Sequence, residues 1–167
     1  MSAGKTPLAY YREGYNCAQA VLLAHAAEWG MPAEWAQRLA APFGAGLSGL
    51  RRTCGTLSAL AMLLGLDEGN YLPGDLKKKN EFYRRVREME AEYVAHFGTS
   101  VCRELLRGGP HGKEVPAEAG ARTADYYAAH RPCEACLELA EALYLEHRRK
   151  KKDVETADKE TEKENGK

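Results

Sequence analysis

Phe82-Tyr83-Arg84-Arg85-Val86-Arg87-Glu88-Met89-Glu90-Ala91-Glu92-Tyr93-Val94-Ala95-His96-Phe97 decides the fold class. Its large apolar residues, Phe82, Val86, Met89, Tyr93 and Phe97, step by four, three, four and four, which places them on one stripe of a helix and the charges on the rest. The spacing predicts a long amphipathic helix from Asp75 to His96, ended by Gly98. Arg84, Arg85 and Arg87 interleave with Glu88, Glu90 and Glu92 as a solvated face, and no carboxylate pair stands out for acid-base work.

The same period recurs on both sides of this segment, while alternating or β-branched runs of useful length are missing, so the chain reads as all-α. Thr56 to Leu66 is apolar almost all round, as suits a buried central helix, and it is too short to cross a bilayer, which takes ~20 residues. Upstream, Thr6 caps a first helix with Pro7 at its first position, Gly14 is a weak point, and a second segment runs from Asn16 to about Trp29. A short helix carries Trp35 and Leu39, and residues 42–49 form a glycine-rich connection. Downstream come a short helix around Val101 to Arg107, a Gly/Pro-rich loop from Gly108 to Gly120, and a last long helix from about Pro132 to His147. The expected architecture is a compact bundle of five or six helices.

The final stretch, Arg148 to Lys167, holds 14 charged residues and a single large apolar one, Val154. It cannot bury enough surface to offset its ordering entropy, so residues 1–147 are expected to be the domain and 148–167 a disordered charged tail. The basic cluster from Arg148 to Lys152 is read as cations at a helix end rather than as a nucleic-acid or lipid contact. Over its 167 residues the chain balances 24 Lys+Arg against 24 Asp+Glu, and the tail takes 8 basic and 6 acidic of these, leaving a mildly acidic body. Nothing there draws nucleic acid. The first residues lack the apolar core of a signal peptide, and no apolar run matches a membrane span, so the expectation is a soluble, cytoplasmic protein without membrane insertion. A homodimer is left open.

Five cysteines then need an explanation, since structural disulfides are rare in a reducing compartment and an odd number cannot all pair within one chain. Asn16 and Gln19 form a capping-box pattern around Cys17, Thr53 precedes Cys54, Thr99 or Ser100 can cap the helix bearing Cys102, and Pro132 suits the start of the helix bearing Cys133. Four sulfurs thus fall at four predicted helix starts, where orphan N–H groups and the positive dipole end favour thiolate over thiol. One such cysteine usually packs as a small inert hydrophobe. Four in the same setting favour a shared function.

Cys133-Glu134-Ala135-Cys136 adds a CxxC at a helix start, with the first sulfur exposed and the second placed to resolve a disulfide. Thioredoxin-like use would need a βαβ context, and haem attachment would need His where Leu137 stands. Zinc bound by Cys133, Cys136, His130 and a distant cysteine is the lesser option. His25, His96, His111 and His147 show no ligand pattern and are assigned no role. Tyr10, Tyr11 and Tyr15 read as packing residues, and Gly44, Gly46 and Gly49 are not followed by the GK[ST] of a phosphate loop. Arg51 and Arg52, just before Cys54, either stabilise a thiolate or face water.

Taken together, Gly14-Tyr15-Asn16-Cys17-Ala18-Gln19-Ala20-Val21, the glycine-rich stretch leading to Cys54-Gly55, and the later Cys102 and Cys133 resemble the C-GCAxxG-C-C family. That family is defined by four separated cysteines and a Cys-Gly-Ala-x-x-Gly motif, and the likeness covers about Tyr10 to Leu145. Thr56 and Ala59 stand where the motif prefers Ala and Gly, and Cys136 is additional to the family set. The resemblance implies redox chemistry and leaves substrate, reductant and cofactor undefined.

The resulting expectation is that Cys17, Cys54, Cys102 and Cys133 converge for thiol-disulfide exchange or electron transfer with a redox protein or small thiol. Cys133 is the expected nucleophile, and Cys136, Cys102 or Cys54 the resolving thiol. In the runner-up, Cys17, Cys54, Cys102 and Cys133 are ligands of an iron–sulfur cluster or another thiophilic metal. A third reading is a noncatalytic helical adaptor that docks a protein partner and has inert, buried cysteines.

Overall fold

The computed structural model describes residues 4–107 and 131–165, and within these the protein is all-helical. The Gly/Pro-rich loop expected over Gly108 to Gly120, and with it His111 and His130, lies outside the described residues. Seven helices are present among those described: α1 Pro7–Arg12, α2 Cys17–His25, α3 Ala33–Ala40, α4 Gly55–Glu68, α5 Leu76–Phe97, α6 Cys102–Arg107 and α7 Cys133–Asn165. They include the short helices expected around Trp35 and over Val101 to Arg107, and Gly14, with φ +101°, separates α1 from α2, which takes the count just above five or six. Two 3-10 turns, Ala26–Trp29 and Ala41–Phe43, extend α2 and α3.

Local chemistry accounts for most of the starts. Thr6 accepts from the Ala9 N–H with Pro7 at the first position, and Asn16 and Gln19 form a reciprocal capping box on α2. Asp75 accepts from the Lys78 N–H to begin α5, which ends at Gly98 in a left-handed conformation. No strand forms among the described residues, but one antiparallel bridge pairs Thr53 with Val101.

At the centre α2 lies against α4, and α1, α3 and α7 pack around the pair. Ala18, Ala20, Val21 and Leu22 meet Leu57, Ala59, Leu60, Leu63 and Leu64, with Leu137, Ala140 and Tyr144 from α7 and Met89, Tyr93 and Phe97 from α5 closing the core. The expected buried role of α4 holds, and α2 shares it. Close approach depends on Gly55: a Cβ there would sit 2.6 Å from Cys17 Sγ and 2.8 Å from the Phe43 carbonyl oxygen. No helix among the described residues is long and apolar enough to cross a membrane.

The last helix departs from expectation. Rather than ending near His147, α7 continues to Asn165, so the charged stretch expected to be a disordered tail begins inside a helix. Asp67, with a side chain 2% exposed, receives His147 Nε2 at 2.8 Å, Arg148 at 2.9 Å and Lys151 Nζ at 2.7 Å. Arg149 pairs with Glu146 and Asp153 one turn away on either side. Charges that look merely solvated in sequence thus dock one turn of α7 on α4 and link successive turns.

Candidate functional site

The irregular chain between α3 and α4 brings three of the segments carrying cysteines together, those of Cys17, Cys54 and Cys102. Ala45, Gly46, Leu47, Ser48, Gly49 and Arg51 all have φ between 49° and 85°, a left-handed run in which four residues are not glycine. Such residues cost on the order of 1–3 kcal/mol each and persist only where the surroundings hold them. Here they are held by Ser48 N–H to the Pro42 carbonyl (2.7 Å) and Arg52 N–H to that of Gly46 (2.9 Å). Beyond the turn the Cys54 N–H donates to the Ser100 carbonyl and the Cys102 N–H to that of Arg52, which fixes Cys54 beside Cys102. Gly46 permits this, since a Cβ there would meet Arg52 N at 2.7 Å and Cys102 Cβ at 2.8 Å.

Cys17, Cys102 and Cys133 are the first residues of α2, α6 and α7, as the capping patterns predict. Cys54 differs slightly: it is itself the N-cap of α4, with Thr53 engaged in the bridge to Val101. At α6 the Thr99 hydroxyl accepts from the Val101 N–H, and the carbonyl of Val101 receives the N–H groups of Glu104 and Leu105. All five cysteines are free thiols lining one cavity of about 370 Å³, together with Tyr11, Ala45, Arg51 and Arg131. Cys136 is 1% exposed, Cys54 6%, Cys102 8% and Cys17 9%, while Cys133 is partly exposed.

The sulfurs are not equivalent. The Cys136 thiol hydrogen-bonds Cys54, and this, with hydroxyls of Thr56 and Tyr93 each 3.2 Å from Cys54 Sγ, outweighs burial and lowers the Cys54 thiol to about 6. Cys136 moves up, because its proton is shared with Cys54 and its own site is buried. Burial and the negative sulfur of Cys54 push Cys133 up to about 12, against a hydrogen bond from Tyr11. Cys17 also moves up through burial and its neighbours, although the Ala45 N–H points at its sulfur. Burial raises Cys102 as well, partly offset by a hydrogen bond from Arg51. Hydrogen bonds thus favour the thiolate at Cys54, while burial favours the thiol at the other four cysteines.

Burial and Cys54 disfavour the thiolate at Cys133, the expected nucleophile, and the second sulfur of the CxxC hydrogen-bonds Cys54. Thr56 and Tyr93 escaped notice as site residues. Thr56 carried one signal, a hydroxyl two residues from Cys54 where the family motif prefers Ala; Tyr93 carried none, because it sits on the apolar stripe of α5 like any core residue. Tyr11, read as packing, lines the cavity, and Arg51 takes the thiol-facing of its two readings.

Asp67, Glu68 and His147 also bring possible ligand atoms within 4.8 Å of one another, but Arg148 and Lys151 already occupy Asp67. No curated protein and no solved structure matches the chain significantly. A family model described as "Putative redox-active protein (C_GCAxxG_C_C)" matches residues 15–147, and the chain belongs to that family.

Proposed function

We propose that the protein performs dithiol chemistry with Cys54 as nucleophile and Cys136 as resolving thiol. The observation that carries this reading is the hydrogen bond between the two sulfurs, which favours the thiolate at Cys54 and keeps the proton on Cys136. A thiolate with a pKa below ambient pH attacks a disulfide readily, and a second sulfur already in contact completes the exchange without rearrangement of the backbone. Tyr93 touches both sulfurs and keeps the negative charge hydrogen-bonded while protons move. Convergence on one cavity also favours this function over the adaptor reading, which needs no such meeting of thiols.

The test is to oxidise the reduced chain with a mild disulfide and map the bridges in peptides by mass spectrometry. A dominant Cys54–Cys136 bridge, and a mixed disulfide trapped on Cys54 in Cys136→Ser, are expected. Oxidation that joins Cys133 to Cys136 and leaves Cys54 reduced overturns the assignment.

A second reading rests on the shared cavity itself: Cys17, Cys54, Cys102 and Cys133 line it together and are the sulfurs that would ligate an iron–sulfur cluster or another thiophilic metal, although no three of them lie within 4.8 Å of one another. Anaerobic preparation followed by visible absorption and metal analysis separates the two. Brown colour with stoichiometric iron, or stoichiometric zinc, supports the metal reading; a colourless, metal-free chain that loses thiols in pairs supports the dithiol.

A further inference from the structure

We infer that α5 pairs antiparallel with α5 of a second copy of this chain. The surface begins on α4, whose residues 55–66 carry no charge. A helix apolar all round belongs inside a protein, yet the outward row of α4 is left open. Leu66 is 38% exposed, and a Cβ added at Gly65 would have no neighbour within 4 Å among the described residues. Beside this row runs a groove of about 510 Å³, lined by Leu57, Ala61 and Met62 on one side and Val86, Met89 and Glu90 on the other.

α5 presents a second row next to that groove. Leu76, Lys79, Tyr83, Val86, Glu90 and Val94 step by three, four, three, four and four, the spacing of a helix seam, beside the buried line of Met89, Tyr93 and Phe97. Leu76 is 66% exposed and Tyr83 44%. The row's two charges make no ion pair among the described residues: Lys79 Nζ lies over the Tyr83 ring at 5.5 Å, and Glu90 accepts from the Ser100 hydroxyl at 2.7 Å. Eleven residues of helix, about 16.5 Å, keep the two from each other. The ion pairs that α5 does form, Arg84 with Glu88 and Arg85 with Glu68, lie off this row.

An antiparallel second copy satisfies the whole row in one register. With the two-fold axis between residues 84 and 85, Lys79 of one copy faces Glu90 of the other, Tyr83 faces Val86, and Leu76 reaches Val94, each contact occurring twice. A parallel pairing would instead set Lys79 on Lys79 and Glu90 on Glu90. The start of α5 gains as well. Lys77, Lys78 and Lys79 stand at the positive end of their own helix with no acid in the first turn, and the reversed helix brings its negative end to them. The row is complementary to itself, which is why the occupant is a second copy rather than a different protein.

Reduced full-length protein, kept in excess reductant so that no disulfide can link two chains, is to be weighed by analytical ultracentrifugation across a concentration series. A species of twice 18.4 kDa is expected. Lys79→Glu, which sets Glu against Glu in both contacts, and Tyr83→Glu, at an exposed position, should each weaken association by roughly tenfold or more. Glu90→Lys should do the same, and an equal mixture of Lys79→Glu and Glu90→Lys should recover the dimer, because each chain then supplies the charge the other lacks. A monomer at every concentration overturns the inference and leaves the face to a different occupant. A dimer that Lys79→Glu and Tyr83→Glu leave intact is built on another surface and overturns it too, as does a mixture of two folded variants that stays monomeric. Should Glu90→Lys fail to fold without its Ser100 bond, Lys79→Glu and Tyr83→Glu decide the matter alone.

Discussion

The phenolic hydroxyl of Tyr93 donates to Cys54 Sγ over 3.2 Å, joining residues 39 positions apart in the chain. Thr56 lies 3.1 Å from the same hydroxyl and 3.2 Å from the same sulfur, so two hydroxyls and the Cys136 thiol surround one buried atom. A neutral cysteine cannot use three donors well, whereas a thiolate can. On the proposed reading these partners, more than the helix start, concentrate reactivity on one of the five cysteines.

Removing the Tyr93 hydroxyl should make Cys54 harder to ionise. A hydrogen bond to a charged group is worth about 1.5–3 kcal/mol, and one pKa unit corresponds to about 1.4 kcal/mol, so Tyr93→Phe is expected to raise the Cys54 midpoint by roughly one to two units. Alkylation rates of Cys54 against pH measure it. Because the ring stays in place against Phe97, the fold should persist; an unchanged midpoint would show that Tyr93 only packs.

Thiolate absorbance followed against pH should show one sulfur ionising near pH 6 and the remainder at alkaline pH, and the early step should vanish in Cys54→Ser. The sign for stability follows from the same numbers. With a folded value of about 6 against an ordinary 9.0, the folded state binds fewer protons than the unfolded one between those limits. Stability from this group is complete above pH 9, declines as the pH falls, and is lost below pH 6. Denaturant midpoints of the chain and of Cys54→Ser should converge at acid pH.

The helices and the placement of sulfurs at their starts were legible because caps and apolar spacing are local chemistry: Thr6, Asn16, Asp75 and Gly98 act within four residues of their own position. Which sulfur the hydrogen bonds favour as thiolate was not legible, because two of its three partners, Tyr93 and Cys136, come from α5 and α7, and an apolar stripe does not reveal that the hydroxyl of Tyr93 faces a cysteine. The docking of α7 was hidden for a related reason. In sequence Arg148 and Lys151 belong to a basic run, and only folding brings them to Asp67, 81 and 84 positions away.

Gly55→Ala tests the crossing that places Cys17. The added methyl would lie 2.6 Å from Cys17 Sγ and 2.8 Å from the Phe43 carbonyl oxygen, distances at which something must move. Overpacking of this kind costs about 1–3 kcal/mol. The variant should unfold at lower denaturant, and Cys17 should react faster with an alkylating reagent as α2 and α4 separate. Unchanged stability together with unchanged Cys17 reactivity would mean that the two helices are not held at this distance.

Asp67→Asn should release the first turn of α7 beyond His147. The carboxylate is 2% exposed and takes hydrogen bonds from His147, Arg148 and Lys151; burial opposes its ionisation, but Lys151 and His147 outweigh it and hold the acid below its ordinary value. By the linkage sign, a lowered carboxylate stabilises the fold above its unfolded value of 3.8 and loses that contribution as the pH falls below it. At neutral pH the amide keeps the shape and drops the charge, a loss of about 1–3 kcal/mol since the cationic partners stay partly solvated. Hydrogen exchange should accelerate over residues 147–151 while the starts of α2 and α4, far along the chain from this contact, keep their protection. Equal exchange in both proteins would show that α7 is held by Leu137, Ala140 and Tyr144 alone.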